Sequence, residues 1–177
     1  HPEIFVPVEK SPNFFTAPDM ETIAGSTAIE AMKGHTVKTE SEYLALFRSV
    51  PAGRVPGEVS PVYMQSVFAA DRLARFAPEA RILAMLRNPV DRAFAHFIGR
   101  RRDGLERRSN FAEAIADELA HPTPKDLAFN NYLAIGRYAH YLAPFLAAFP
   151  RERIQILFFD DFVRDPVGVL NNVLAFI

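Results

Sequence analysis

The sequence contains no cysteine, which excludes disulfide bonds, thiolate metal sites and a cysteine nucleophile within its 177 residues. It contains no apolar run near the roughly 18 to 20 residues that a membrane-spanning helix requires, so no span is expected in this chain. It also lacks an excess of charge, because 20 basic residues face 21 acidic ones and the net charge is -1. Without a broad positive field, nucleic-acid binding is not expected, and any anion must be recognised by a few placed groups.

The apolar residues, by contrast, make up 49% of the chain and include 16 phenylalanines, which is enough to build a core. The length matches one ordinary domain of roughly 100 to 200 residues. The chain begins at His1 instead of a methionine, and its last residues, through Ile177, stop in the middle of an apolar pattern. We therefore expect residues 1–177 to be a single domain that is truncated at both ends.

Two apolar runs, at residues 81–86 and 153–159, have the length and flanks of buried parallel strands. Each of them follows a helical stretch and a turn that contains proline. Strands that alternate with helices indicate the α/β class. Residues 54–58 are a third strand candidate, weakened by a proline and a glycine. Helices are expected at residues 41–47, 63–76, 111–119, 131–149 and 166–176.

The most informative segment follows the strand at residues 81–86. Asn88 is a good helix N-cap, Pro89 suits the first helical position, and Asp91 falls at the third. A helix that begins there places Arg87 between the carboxyl end of a strand and a helix N-terminus, where α/β proteins bind ligands and anions. Its guanidinium could hold a phosphate through two parallel hydrogen bonds. From the residues alone, pairing of Arg87 with a nearby carboxylate is the other open interpretation.

Residues 86–97, Leu-Arg-Asn-Pro-Val-Asp-Arg-Ala-Phe-Ala-His-Phe, resemble the 3'-phosphate-binding element of sulfotransferases, above all the heparan-sulfate-type and related bacterial branch. Residues 1–15, residues 57–61 (Gly-Glu-Val-Ser-Pro) and residues 136–150 with 165–166 resemble other parts of that family, in the same order. The resemblance implies an α/β, P-loop-like three-layer sandwich with a central parallel sheet flanked by helices, incomplete in this chain. It implies transfer of a sulfuryl group from 3'-phosphoadenosine 5'-phosphosulfate (PAPS) to a hydroxyl or amine of a carbohydrate or small-molecule acceptor, without a metal.

The resemblance also implies roles for individual residues. Arg87 matches the family's ligand for the 3'-phosphate, and Glu58 matches the glutamate that acts as general base. Lys10 matches a lysine in the segment that faces donor and acceptor, and Asn13 stands where heparan-type enzymes often carry histidine. Lys10 and Asn13 are therefore the predicted substrate-binding residues.

The chain departs from the family's pattern at four positions. Ala95 stands where the family has a serine that shares the 3'-phosphate, which removes one hydroxyl donor. Val59 stands where a lysine often follows the base, so that positive neighbour is absent. Ser11 and Asn13 replace a glutamate and a histidine, so glycosaminoglycan specificity is not carried over. These departures motivate an alternative, a non-catalytic binding or assembly module with the same fold.

A second basic feature lies beyond Arg87. Five arginines fall within nine residues, and two interpretations stay open: a solvated helix end with favourable charge at the helix C-terminus, or a track for an acidic acceptor such as a glycan. These arginines are Arg100, Arg101, Arg102, Arg107 and Arg108.

The family's Lys-x-Gly-Thr/Ser loop, which holds the 5'-phosphosulfate, is expected before His1, and a later Lys-Gly loop is expected after Ile177. The chain by itself is therefore not expected to catalyse transfer. A P-loop nucleotide kinase is a further alternative, disfavoured because no Gly-x-x-x-x-Gly-Lys-Ser/Thr loop occurs in the sequence. A cytoplasmic location is favoured, and the oligomeric state and the acceptor are left open.

Overall fold

The computed structural model describes residues 1–22, 36–66, 68–121 and 131–177. Within these ranges the strands form two parallel pairs. β1 (Ile4–Phe5) pairs with β2 (Val55–Pro56), and β3 (Ile82–Leu86) pairs with β4 (Ile154–Phe158). Parallel strands require crossover connections, and helices supply them here. The predicted α/β class, with parallel strands flanked by helices, is confirmed.

Four of the helices follow a polar residue, Thr39, Asn88, Asn110 or Asp165, whose side chain accepts hydrogen bonds from the first free N–H groups. The helices are α1 (Ala17–Thr22), α2 (Glu40–Ala45), α3 (Ala69–Phe76), α4 (Pro89–Arg102), α5 (Phe111–Ala120), α6 (Tyr138–Ala148), α7 (Phe159–Arg164) and α8 (Pro166–Phe176). Short 3-10 helices occur at Phe14–Thr16, Pro61–Gln65, Ala134–Gly136 and Arg151–Arg153. Thr39 and Glu42 form a capping box at the start of α2, and Asn110 caps α5. No helix in the described ranges is long and apolar enough to cross a membrane.

Two predicted helices are shorter in the structure than in the prediction. The one expected at residues 63–76 begins only at Ala69, because the hydroxyl of Ser66 accepts the N–H groups of Phe68 and Ala69, both at 3.1 Å. Val67, which that prediction included, lies outside the described residues. The helix expected at residues 131–149 is divided at Arg137, whose backbone (φ -81°, ψ 60°) is not helical.

The strand predictions are confirmed at residues 81–86 and 153–159, with β3 and β4 in register from Ile82↔Ile154 to Leu86↔Phe158. The weak candidate at residues 54–58 forms only the two-residue β2, and its partner β1 was not predicted. The predicted burial of β3 on both faces is not observed, since Leu83 and Met85 are 43% and 46% exposed. The face of β3 that carries Ile82, Ala84 and Leu86 is partly to fully buried, and the face that carries Leu83 and Met85 is exposed.

Aromatic side chains build much of the core. Phe15 and Tyr43 are buried in one cluster, and Phe14 stacks on Tyr43 with ring centroids 4.6 Å apart. Phe15 also meets the edge of Tyr63 at 5.4 Å. An ion pair of 2.9 Å between the buried Asp19 and the half-buried Arg72 ties α1 to α3 beside this cluster. The core thereby fixes two tyrosines whose hydroxyls reach the candidate site.

Candidate active site

Arg87 lies where the sequence placed it, at the carboxyl end of β3. Because Leu86 pairs with Phe158, the residues that follow the paired strand ends are Arg87 and Phe159. The helix α4 begins two residues later at Pro89. Asn88 caps it, with its Oδ1 accepting hydrogen bonds from the first-turn amides.

The amides at the start of α4 are used within the protein. The N–H groups of Val90 and Asp91 donate to Oδ1 of Asn88, at 2.9 and 3.4 Å, and the N–H of Arg92 donates to the carbonyl of Asn88 at 2.9 Å. Pro89 has no N–H to offer. The first-turn amides of residues 90–92 are therefore already paired, and an anion bound here would interact with the helix N-terminus through its dipole.

No carboxylate among the described residues neutralises the guanidinium of Arg87. Its Cζ lies over the ring of Phe159, 5.1 Å from the centroid, and its Nε is buried without a hydrogen-bond partner. Within the described part of the chain it forms no ion pair, so pairing with a carboxylate is not what the structure shows. The hydroxyl of Tyr138 donates to the carbonyl of Arg87 at 2.8 Å and holds the main chain. An orphaned buried donor at this position fits a phosphate group.

The segment before α6 buttresses the start of α4. A Cβ on Gly136 would lie 3.2 Å from Cβ of Pro89, so glycine permits this close approach. Arg92 donates to the carbonyl of Tyr132. Glu118 accepts the N–H groups of residues 132–134 and fixes the same segment. Burial lowers the pKa of Arg92. This arginine therefore serves packing within the fold.

His96 lies on α4 and is held in the neutral form. Burial, followed by the positive charges of Arg92 and Arg100, lowers the pKa of His96 to about 4. Its ring meets Tyr132 edge-on at 5.1 Å, and its Nδ1 is buried without a hydrogen-bond partner in the described part of the chain. Ala95, the position where the family's serine is expected, is exposed.

Glu58 lies in a cluster of hydroxyl groups. Ser60 donates to Oε2 at 2.7 Å, and Tyr63 and Tyr43 donate to Oε1 at 2.5 and 3.1 Å. Burial, together with the negative charge of Glu58, raises the pKa of both tyrosines, so both stay protonated and act as donors. A carboxylate oxygen offers about two lone-pair sites. Oε1 is therefore filled, and Oε2 keeps one acceptor site.

Asn13 is joined to this cluster through Ser60, whose Oγ accepts the Asn13 N–H at 3.1 Å. Asn13 and Ser11 both have φ of 53°, in the left-handed region that non-glycine residues rarely adopt. Oδ1 of Asn13 is buried and lacks a partner among the described residues. The structure thus brings Asn13 and Glu58 together. Within the described residues, no hydrogen bond or ion pair links either of them to Arg87, and Lys10 is exposed.

The arginines at residues 100–108 are mostly engaged with their own segment. Arg101 donates to the carbonyls of Arg108 and Ser109, at 2.6 and 2.7 Å. Arg108 pairs with Glu106 at 2.8 Å and with Asp117 at 2.5 Å. Arg100 donates to the carbonyl of Leu105, and Arg102 pairs with Asp103. These contacts favour the solvated helix end over a track for an acidic acceptor.

The sequence reasoning did not single out the tyrosines at 43, 63 and 138 or Phe159. The sequence near Tyr63 and Phe159 could have indicated a role in the site. Tyr63 follows the Gly-Glu-Val-Ser-Pro segment, and Phe159 ends a predicted strand. Tyr43 had no such indication, because its contact with Glu58 spans 15 residues. Among the described residues, no cluster of three or more His, Asp or Glu side chains is placed to hold a metal ion.

The described residues form an α/β protein in which an arginine at a strand end has no carboxylate partner and a glutamate accepts hydrogen bonds from three hydroxyl groups. A model of the sulfotransferase family matches residues 15–177, and the chain belongs to this family. It is 36% identical to a sulfotransferase from Alicyclobacillus acidocaldarius, whose crystal structure it matches with a TM-score of 0.90 over 99% of this chain and 71% of that one.

Two curated relatives carry heparan sulfate in their names. The bifunctional heparan sulfate N-deacetylase/N-sulfotransferase 1 of Caenorhabditis briggsae is 24% identical over 162 residues, which are 88% of this chain and 18% of that protein. The human heparan sulfate glucosamine 3-O-sulfotransferase 6 is 25% identical over 145 residues, 76% of this chain and 38% of that protein. The chain therefore spans well under half the length of these relatives.

Proposed function

We propose that the protein transfers a sulfuryl group from PAPS to a hydroxyl or amine of a carbohydrate or small-molecule acceptor. The observation that carries this proposal is the guanidinium of Arg87, which is free of carboxylate partners in the described structure and holds a buried, unpaired Nε. Membership of the sulfotransferase family supports the reaction class. The names of the two heparan sulfate relatives support a carbohydrate acceptor. The family match leaves the kinase alternative without support.

In this proposal Arg87 binds the 3'-phosphate, and Glu58 takes the proton of the acceptor. The acceptor oxygen or nitrogen forms a bond to sulfur while the bond from sulfur to the 5'-phosphate oxygen breaks, which leaves 3'-phosphoadenosine 5'-phosphate (PAP). The proton goes to Oε2 of Glu58, the oxygen with an unused acceptor site. Lys10 and Asn13 contribute to the acceptor side. As in phosphoryl transfer, positioning and electrostatics carry most of the catalysis.

Calorimetry with PAP tests the proposal on the full-length protein. Arg87→Ala is expected to weaken PAP binding by at least about tenfold, because a charge-assisted contact to phosphate is lost. Arg81→Ala is the matched control, since Arg81 stands before the opposite end of the same strand and donates to the carbonyl of Phe176 at 2.5 Å. Undiminished binding in Arg87→Ala would overturn the assignment.

A non-catalytic binding module is the second candidate function. The observation that favours it is the saturation of Glu58 Oε1 by two tyrosine hydroxyls, together with Ala95 and Val59 in place of polar family residues. Such a module would bind PAP through Arg87 and transfer no sulfate. A transfer assay on the full-length protein separates the two functions.

A further inference from the structure

The positive charge of Arg87 faces an aromatic ring although two carboxylates follow that ring in the sequence. Phe159 is succeeded by Asp160 and Asp161, yet neither pairs with Arg87. Asp161 instead pairs with Arg164 at 3.1 Å, and Asp160 is exposed. The fold therefore offers the guanidinium an aromatic partner in preference to an acidic one.

An aromatic partner and an acidic partner have different consequences for anion binding. A carboxylate accepts hydrogen bonds from the in-plane N–H groups of a guanidinium and would compete with a phosphate for them. A ring attracts the cation through its face and does not compete for the in-plane N–H donors. The Nε of Arg87 is buried and has no hydrogen-bond partner in the described part of the chain, so no protein group uses this in-plane donor there.

The main chain of Arg87 is held in place by groups other than the ring of Phe159. The hydroxyl of Tyr138 donates to its carbonyl at 2.8 Å, and the pairing of Leu86 with Phe158 fixes the strand ends. A change at Phe159 therefore acts on the orientation of the Arg87 side chain, while the backbone keeps two independent restraints.

We propose that Phe159 is a positioning residue that holds the guanidinium of Arg87 ready for a phosphate monoester by a cation–π contact. This inference rests on the proposed function, in which Arg87 binds the 3'-phosphate of the donor. Phe159 acts through Arg87 and is not required to touch the ligand.

Calorimetry with PAP on the full-length protein gives the first test. Phe159→Leu is expected to weaken PAP binding by about three- to tenfold, since the loss of a partly exposed cation–π contact corresponds to that range. Phe158→Leu is the matched control, because Phe158 precedes Phe159 and is 56% exposed. It is expected to bind PAP as the wild type does. Phe159→Tyr is expected to retain the affinity, because the ring face is kept.

A fluorinated series separates the electronic effect from packing. Replacement of Phe159 by 4-fluoro-, 3,5-difluoro- and pentafluorophenylalanine keeps the ring shape nearly constant while it weakens the negative ring face. PAP affinity is expected to fall stepwise along the series. Affinity that is independent of fluorination would overturn the cation–π role of Phe159, even if Phe159→Leu does not fold.

The same measurements distinguish this inference from the proposed function. If Arg87→Ala weakens PAP binding and the fluorinated variants do not, Arg87 binds the phosphate without help from the ring, and only the role of Phe159 is rejected. If Arg87→Ala leaves PAP binding unchanged, the proposed function itself is rejected.

Discussion

The hydroxyl of Tyr63 donates a 2.5 Å hydrogen bond to Oε1 of Glu58, the shorter of two tyrosine contacts to that oxygen. Tyr43 donates to the same oxygen at 3.1 Å. Burial and the negative charge of Glu58 raise the pKa of both tyrosines, so at neutral pH both are donors and neither is a base. The aromatic core that buries the tyrosines thus also orients the candidate base.

The two tyrosine contacts should differ in energy. We expect Tyr63→Phe to lower the free energy of unfolding by about 1 to 2 kcal/mol, because a hydrogen bond to a charged group is removed, and Tyr43→Phe to lower it by less. Urea unfolding measures both. In a double-mutant cycle with Glu58→Gln, the cost of Tyr63→Phe should shrink. An equal cost in both backgrounds would contradict a specific contact.

Glu58→Gln tests the base directly. The amide keeps the shape of the side chain but cannot accept the proton, so sulfate transfer is expected to fall by at least about a hundredfold. PAP affinity should be unchanged, because no described contact joins Glu58 to Arg87. Glu79→Gln, an exposed site, is the control. Transfer by the wild type that is lost in Glu58→Gln excludes the non-catalytic module, and transfer that survives the substitution removes Glu58 as the base.

Asn13 allows the roles of backbone and side chain to be separated. Glycine adopts its φ of 53° freely, whereas alanine there costs about 1 to 2 kcal/mol. We expect both Asn13→Gly and Asn13→Ala to raise KM for the sulfate acceptor, and only the alanine variant to lose stability in urea unfolding. A wild-type KM in Asn13→Gly would show that the amide does not bind the acceptor.

Helix caps and apolar runs in the sequence predicted those helices and strands that depend on neighbouring residues. The start of α4 at Pro89 followed from Asn88 as N-cap, and β3 and β4 followed from their apolar runs. The strand at Ile4–Phe5 was missed because two residues carry no periodicity and its partner at Val55–Pro56 is about 50 residues away. The break at Ser66 was missed because a hydroxyl cap competes with a continuous apolar stripe.

In the candidate site, too, the features that depend on neighbouring residues could be predicted, and those that depend on distant residues could not. Arg87 could be placed from the strand and the cap alone, whereas its ring partner Phe159 depends on the register of two strands that lie about 70 residues apart. The hydroxyls around Glu58 depend on core packing of Tyr43 and Tyr63. The predicted roles of Arg87, Glu58, Lys10 and Asn13 stay predictions that the experiments above address.

His96 should make stability depend on pH below neutrality. Its pKa is lowered to about 4 in the folded protein by burial and by Arg92 and Arg100, while the unfolded chain binds a proton near the ordinary value of 6.5. Between pH 4 and pH 6.5, unfolding of the protein is therefore accompanied by uptake of a proton at His96. The free energy of unfolding falls as the pH decreases from 6.5 to 4. The decrease is about 1 to 2 kcal/mol after allowance for the partial exposure of His96.

Urea unfolding at pH 7 and pH 5 measures this dependence. His96→Phe should flatten it, and the same substitution at the exposed His140 should leave it unchanged. An equal loss of stability in wild type and His96→Phe over this interval would contradict the assignment to His96.

Ala95 offers a gain-of-function test of the phosphate site. The family carries a serine there, and Ala95→Ser restores one hydroxyl donor on the helix that begins beside Arg87. We expect PAP affinity to rise by about two- to tenfold, because one neutral hydrogen bond contributes about 0.5 to 1.5 kcal/mol. Ala112→Ser, at an exposed position of α5, controls for the lower helix propensity of serine. If Ala95→Ser binds PAP no more tightly than the wild type, the 3'-phosphate does not reach this turn of α4.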